Sequence, residues 1–388
     1  MKKLLIIPLI LLLTGCWNYR ELNQLAITTG IAIDKEDDNY KVTIMIANSK
    51  KDSGSDGSIT PSAAVYDGTG QTIYEAFKDT SLSVSKQIYL SHIDVLVLSE
   101  EIASNSLIDV IDFLFRYPQT RNNFYLVLAK DKSASDILKV TTPLETFPSQ
   151  NLAKNLEITD KLQGFTYTVD FTDFTKSLVS EGINPVLPSV TIIGNSEEGN
   201  KEDNIKQNEP STYLKLDMLG LFKDDKFVAW ASPNESKGIN IINNKIYILG
   251  VIIDYQDEKI VTEITEMETS FKVEDNKVKI TIDTKGAIQE INAKVDLYDP
   301  KIIEEIKNVD IEKIKQYVNE AINLAKNNKT DIFGFGNYVY KNDPQRWKEI
   351  KDIWDDEIFP SLEIEIEVNL KLQAKGSIND TVEVREWK

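Results

Sequence analysis

Cys16 is the only cysteine in a chain of 388 residues. No intramolecular disulfide can form, so the fold must be held together by the packing of apolar side chains. Hydrophobic residues make up 41% of the chain and charged residues 27%, which is ordinary for a folded protein. At ~100 to 200 residues per domain, this length predicts two or three domains, each with a core of its own.

The first 16 residues have the pattern of an export signal. Lys2 and Lys3 precede an apolar run over residues 4–13. A helix needs roughly 20 residues to cross a bilayer, so this shorter run matches the apolar core of a secretory signal instead. The stretch LTGC that follows resembles the lipobox of bacterial lipoproteins, which implies a signal peptide over residues 1–15 and a lipid on Cys16. The alternative is a secreted protein with an incidental cysteine.

The charge and histidine content exclude several functions. The formal net charge is −18, and clusters of Lys and Arg are what bind phosphate backbones, so no nucleic-acid partner is expected. Membrane attachment must therefore come from the lipid. His92 is the only histidine, which excludes histidine-rich metal sites, and we interpret it as a structural side chain rather than a catalytic base. No cofactor and no metal site is predicted.

Hydrophobic periodicity predicts an α+β fold of three domains, built from mixed and antiparallel β-sheets that are covered by helices. An N-terminal β segment and loop are placed at residues 16–62, and an α/β domain at 63–147. A middle domain is placed at 148–248, with a polar loop over 195–211, and a helix-covered β-sheet at 249–388.

A helix is predicted after the glycines of GTG, with Ile73, Phe77 and Leu82 on its buried face. The glycines lack the third member that a dinucleotide fingerprint requires, so we interpret them as a turn.

The clearest strand is SLEIEIEVNLKL, which alternates apolar and polar residues. Glu363, Glu365 and Glu367 share one face of it. Such a row can be a metal or catalytic cluster, but a solvated strand face is the simpler interpretation. Lys277 and Lys279 on a neighbouring strand are expected to offset the repulsion between these carboxylates.

Aromatic residues near the second half of the chain are candidates for contact with a partner or a membrane. They are Phe333 and Phe335 in DIFGFG, and Trp347 in the helix that begins after Pro344. The alternative is that Gly334 lies in a turn that directs the aromatic rings into the core. The sequence leaves both alternatives open, since only an exposed patch would mark a partner site.

Six stretches, in this order and spacing, resemble the Ger(x)C family, the lipoprotein C subunits of spore germinant receptors. They are GCWNYREL, SHIDVLVLSEEIA, IDFLFRYPQTRNN, DILKVTTPLETFPS, LGLFKDDKFVAWASPNESKGI and DIFGFGNYVYKNDPQRWKEIKDIWDD. The stretch YLKLDMLGLFKDDKFVAWAS predicts a hairpin whose turn is Lys223 to Lys226. Within it the chain departs from the family pattern at Ala229 and Ala231, where a glycine and a leucine are expected.

The resemblance implies a protein of α+β layers, anchored by lipid on the outer face of the spore inner membrane. It implies two integral-membrane partners, an A and a B subunit, with which nutrients trigger germination. The family's C subunit has no established enzymatic activity, so no catalytic residue is carried over and direct nutrient binding is not expected. Trp17, Tyr19 and Arg20 then follow the lipid and are expected near the headgroups.

Two further functions stay open on the residues alone. A lipoprotein that captures a solute for a transporter is the main alternative, and such proteins have two similar α/β lobes around a cleft. A hydrolase lacks HExxH and GxSxG motifs here, although two carboxylates far apart in the chain can meet in a fold.

Overall fold

The computed structural model describes residues 21–48, 61–292 and 297–374, and every structural statement below concerns these residues. Their strands form two sheets, a larger one of nine strands and a smaller one of four. Helices cover both sheets. The predicted α+β class with mixed, helix-covered sheets is confirmed.

The larger sheet has a parallel centre with antiparallel edges. Its strands are β1 (Leu25–Glu36), β2 (Asn39–Ala47), β3 (Ala63–Gly70), β4 (Gln87–Tyr89), β5 (Val95–Ser99), β6 (Tyr125–Ala129), β7 (Val186–Ile193), β8 (Tyr213–Lys223) and β9 (Lys226–Trp230). The order is β3-β2-β1-β5-β6-β7-β8-β9, and β4 also pairs with the start of β1. Strands β1, β5, β6 and β7 run parallel, whereas β2, β3, β8 and β9 join through antiparallel pairs.

Helices lie on both faces of the larger sheet, which is why β5 and β6 read as short continuous apolar runs. The helices of this half of the chain are α1 (Ile73–Ser81), α2 (Glu100–Asn105), α3 (Ile108–Arg116), α4 (Ala134–Lys139), α5 (Pro148–Leu162), α6 (Phe171–Val179), α7 (Ser196–Gly199), α8 (Glu202–Lys206) and α9 (Pro233–Ile242). Helices α4 and α5 pack on one face, and α1, α2, α3, α6 and α9 contribute to the core on the other.

The smaller sheet contains the long alternating strands. It has the order β10 (Leu249–Tyr255), β11 (Glu258–Glu274), β12 (Lys277–Ile291) and β13 (Glu363–Ala374), with β12 and β13 parallel. The long helix α10 (Pro300–Asn327) packs on its apolar face.

Between α10 and β13 the chain forms a compact helical segment. It consists of α11 (Phe335–Asn342), α12 (Pro344–Ile350), a 3₁₀ turn (Lys351–Ile353), a π-helical turn (Trp354–Ile358) and α13 (Phe359–Ser361). Buried aromatic rings from this segment join the core of the smaller sheet to that of the larger one.

The predicted glutamate row is confirmed as an exposed face with cationic neighbours. Lys277 lies 2.6 Å from Glu365, and Lys279 lies 2.8 Å from Glu367. All four side chains are about half exposed, so the row is a solvated face.

The structure differs from two other predictions, the buried face of α1 and the polar loop at 195–211. Ile73 and Phe77 are buried as predicted, but Leu82 is 84% exposed because α1 ends at Ser81 and the chain leaves the helical period there. The predicted polar loop at 195–211 contains the short helices α7 and α8.

The larger sheet draws its strands from three of the predicted segments, 16–62, 63–147 and 148–248. The smaller sheet lies wholly within the predicted segment 249–388. The division of the chain into three domains stays a prediction.

Candidate functional site

The loop DIFGFG, which connects α10 to α11, is organised around the carboxylate of Asp331. This side chain has no exposed surface. Its oxygens accept hydrogen bonds from four successive backbone amides, those of Phe333 (3.1 Å), Gly334 (2.9 Å), Phe335 (3.3 Å) and Gly336 (2.7 Å). A fifth donor is the indole Nε1 of Trp354, at 3.0 Å. The carboxylate thus satisfies the free amides at the start of α11.

Burial raises the pKa of Asp331 from its ordinary value of 3.8 to about 6. The amide of Gly336 and the indole of Trp354 act in the opposite direction, because hydrogen bonds stabilise the charged form. Asp355 lies close by and adds to the increase through charge repulsion.

The three aromatic residues proposed as contacts lie inside the molecule. Phe333 is 5% exposed, Phe335 0% and Trp347 4%. Gly334 adopts φ 77°, a left-handed conformation that suits glycine, and turns both phenylalanines inward. The ring of Phe335 lies 4.9 Å from that of Phe271, and Trp347 lies 5.5 Å from Trp354. The surface-patch alternative is therefore wrong for these side chains, and the core alternative is the one observed.

Asn184 connects this loop to the larger sheet. Its backbone amide donates to the carbonyl of Asp331 at 2.7 Å, and its side-chain Nδ2 donates to Asp355 at 3.2 Å. Its Oδ1 accepts from the backbone amide of Asp224 at 2.8 Å, in the turn between β8 and β9. Through its backbone amide and its side chain together, Asn184 therefore joins three other segments of the chain. We call the set Asn184, Asp331 and Asp355 the junction.

Further contacts flank the junction. The hydroxyl of Thr330 donates to the carbonyl of Phe222 at 2.5 Å, and Lys223 lies 3.0 Å from the carboxylate of Asp356. The indole of Trp347 donates to Glu181 at 2.9 Å. Both sheets are thus fixed against each other by polar contacts as well as by the aromatic core.

Two glycines allow the backbones to meet at the junction. A Cβ atom on Gly336 would lie 2.6 Å from the indole nitrogen of Trp354 and 2.9 Å from the Cα of Gly182. Gly182 itself adopts φ 68°. No larger residue fits at position 336 without displacing the indole that binds Asp331.

A cavity of about 410 Å³ lies beside the junction, between α6, the loop after α9 and the DIFGFG loop. Lys176, Lys245 and Lys341 reach it, together with Asp173. The residues described around it include neither histidine nor cysteine.

Other buried acids have structural partners. Asp34 accepts hydrogen bonds from the amides of Ala134 and Ser135 at the start of α4, at 2.7 and 2.9 Å. Asp310 accepts one from Thr262 at 2.7 Å, and burial raises its pKa to about 7. His92 is exposed and packs near the ring of Tyr89, at 5.9 Å.

Residues 21–48, 61–292 and 297–374 contain no group of three or more His, Cys, Asp or Glu side chains that could hold a metal ion. Within the same ranges, no helix has the length and apolar character needed to cross a membrane. Cys16, Trp17, Tyr19 and Arg20 lie outside the described residues, as does the predicted signal peptide.

Sequence reasoning missed the roles of Asn184, Asp331 and Asp355. The available signal was an aspartate three residues before Gly334 and just ahead of a helix, a spacing that suits a capping carboxylate.

Two family models match successive parts of the chain, and the second match begins within β8. Residues 18–192 match the spore germination protein N-terminal domain, and residues 217–376 match the spore germination B3/GerAC-like C-terminal domain. The chain belongs to the Ger(x)C family of spore germination proteins. The resemblance expected from the six sequence stretches is confirmed.

Relatives of similar length support the membership. Spore germination protein KC of Bacillus subtilis (strain 168) is 28% identical over 386 residues, covering 96% of this chain and 95% of the relative. Spore germination protein B3 of the same organism is 24% identical and covers 95% and 96%. The crystal structure of the GerBC protein matches with a TM-score of 0.52 and 19% identity, covering 88% of this chain and 96% of that one. That likeness concerns the fold.

Proposed function

We propose that this Ger(x)C protein is a non-enzymatic, lipid-anchored C subunit of a nutrient germinant receptor. It acts with integral-membrane A and B subunits to trigger spore germination. The observation that carries the proposal is the match of residues 18–192 and 217–376 to spore germination families, which begins just after the lipobox-like LTGC.

We also propose where the protein is located in the spore. Residues 1–15 act as a signal peptide, and Cys16 receives the lipid that holds the body on the outer face of the spore inner membrane. Trp17, Tyr19 and Arg20 lie next to this lipid. Stable anchoring takes more than one acyl chain, as lipobox processing supplies. We also propose that the mature chain is divided into three domains.

A solute-binding lipoprotein of a transporter is the alternative. Two similar lobes around a hinge would support it, whereas the described residues form sheets of nine and four strands with different topology. The cavity beside the junction is the place where a solute could bind, so isothermal calorimetry with candidate nutrients tests the alternative directly. A nutrient that binds the purified chain alone would favour solute capture.

The function is tested by replacing Cys16. Spores carrying Cys16→Ala are expected to lose the protein from the inner-membrane fraction and to lose the nutrient response of this receptor, because no lipid can be attached. Germination by a nutrient-independent trigger serves as the control. A normal nutrient response with unlipidated protein would contradict the proposal.

A further inference from the structure

The parallel strands of the larger sheet begin along one edge. Leu25 at the start of β1 pairs with Gln87 at the start of β4, and Val95 at the start of β5 pairs with Tyr125 at the start of β6. The segments that precede these strands are therefore neighbours in space. They include Leu22 before β1, residues 82–93 around β4 and residues 117–124 before β6. We call these three segments the basal edge.

Direct contacts join the loops of the basal edge. The hydroxyl of Ser91 donates to the carbonyl of Gln119 at 2.6 Å. The amide of Tyr125 donates to the carbonyl of Asp94 at 3.0 Å, directly beyond both loops. The basal edge is thus one continuous surface.

The basal edge lies close to the predicted lipid. The chain from Cys16 to Leu22 can span at most ~22 Å, since an extended residue covers at most ~3.6 Å. The 12 residues of β1 extend over about 40 Å at ~3.3 Å per residue. If Cys16 is held at a bilayer, the basal edge is near it, and the turn after Glu36 is at the far end of the sheet.

The basal edge differs in charge from the rest of the chain. Residues 82–93 and 117–124 contain no Asp or Glu, although the chain has 62 acidic residues among 388. They contribute the cations Lys86 and Arg121 instead, and Arg121 is exposed. Acids that adjoin the basal edge include Glu21 before Leu22, Asp94 before β5 and Asp170, which forms a β-bridge with Tyr125. The carboxylates of Asp94 and Asp170 accept hydrogen bonds from Ser149 and from the amide of Asp173. Because anionic headgroups repel an acidic body, the two segments that contain cations and no acid are the parts of the edge that suit them.

Exposed apolar side chains lie on the same edge. Leu82 is 84% exposed and Leu22 is 71% exposed. Single exposed leucines are common on protein surfaces, but here they accompany cations beside an acylated terminus. Apolar side chains beside cations are the combination that binds the boundary between headgroups and acyl chains.

We propose that the basal edge is a lipid-facing surface, which contacts anionic phospholipid headgroups and orients the protein on the membrane. This inference rests on the proposed function, because it takes Cys16 as the anchor. The orientation directs the turn between β1 and β2 away from the bilayer.

The test uses the full chain, purified with its lipid and reconstituted into vesicles of phosphatidylglycerol and phosphatidylethanolamine. Some headgroups carry a nitroxide quencher. Because the lipid occupies Cys16, a newly introduced cysteine is the one available thiol for a fluorescent label. Asn123→Cys places the label on the basal edge, and Lys132→Cys is the matched control. Both residues are exposed and lie at opposite ends of β6.

The label at position 123 is expected to lose most of its fluorescence to the headgroup quencher, and the label at 132 to keep most of it. Adding Lys86→Glu and Arg121→Glu to the Asn123→Cys chain is expected to reduce the quenching. Adding Lys35→Glu and Lys132→Glu, at the far ends of β1 and β6, is expected to leave it unchanged.

Equal quenching at the two positions, or stronger quenching at 132, would overturn the lipid-facing surface while leaving the anchor intact. If the label at position 123 becomes shielded only after a multi-span subunit is added, the basal edge contacts a protein partner. This result would also overturn the lipid-facing surface. A chain that fails to bind vesicles and whose Cys16 reacts with the label would overturn both the anchor and the surface.

Discussion

Trp354 donates its indole N–H to the carboxylate of Asp331 at 3.0 Å, and both side chains are buried. This hydrogen bond joins the π-helical turn to the DIFGFG loop, and Asn184 then joins that loop to the larger sheet. The arrangement explains why the acid is kept in a core of aromatic rings. Five donors converge on it, and each would lose its partner if the carboxylate were removed.

Replacing Asp331 with alanine is expected to lower the free energy of unfolding by about 3–5 kcal/mol, because buried donors are left without acceptors. Urea unfolding followed by tryptophan fluorescence measures the change. The matched control is Asp352→Ala, an exposed acid in the same helical segment, for which a change within about 0.5 kcal/mol is expected. Similar losses for the two variants would show that the Asp331 contacts contribute little.

Stability should depend on the protonation of Asp310. Its pKa is raised from 3.8 to about 7 by burial, so the folded state binds this proton more tightly than the unfolded state does. The contribution is therefore fully present below about pH 4 and is lost as the pH rises to about 7. Asp310→Asn should remove this dependence, and the variant should gain about 2–4 kcal/mol relative to the native chain between pH 5 and pH 8.

Unfolding curves at several pH values measure this difference. Glu312→Gln, an exposed position on the same helix, is the control and should follow the native pH profile. A native profile for the Asp310→Asn chain would mean that Asp310 is already ionised in the folded protein at pH 5.

Gly336→Ala should destabilise the protein although alanine is the better helix former at this position in α11. Helix propensity favours alanine by about 1 kcal/mol, but a Cβ atom here would lie 2.6 Å from the indole nitrogen of Trp354. We expect a net loss of about 1–3 kcal/mol in thermal or urea unfolding, as for overpacked cores. Gly250→Ala is the control, because no atom lies within 4 Å of a Cβ built there. If Gly336→Ala is as stable as Gly250→Ala, the close approach of the backbones is relaxed in solution.

The glutamate row on β13 should matter little for stability. Glu365→Gln and Glu367→Gln together are expected to leave the free energy of unfolding almost unchanged, because both salt bridges are half exposed and are screened by salt. Any loss of stability should shrink further in 1 M NaCl. A large loss of stability would contradict the interpretation of the row as a solvated face.

Some strands and turns were predicted correctly because their signals lie in neighbouring residues. The alternation in SLEIEIEVNLKL gave β13, because a period of two is a property of neighbouring residues. The hairpin of β8 and β9 was also predicted, with its turn between Lys223 and Lys226.

These local patterns could not predict contacts between residues that lie far apart in the chain. The pairing of Gly30 in β1 with Val95 in β5 joins residues far apart in the chain, and no local signal specifies it. The role of Asp331 depends on Trp354 and Asn184, which reach it only in the folded protein. Leu82 was assigned to a buried face because the helical period was extended one residue past the end of α1.

If this chain works as the C subunit of a membrane receptor, it should co-purify with its partner subunits. An affinity-tagged chain would be isolated from detergent-solubilised spore membranes, and its partners and the modification of Cys16 identified by mass spectrometry. We expect an acylated Cys16 and two multi-span partners recovered in proportion to the tagged chain. Recovery of the chain without any multi-span partner would contradict it.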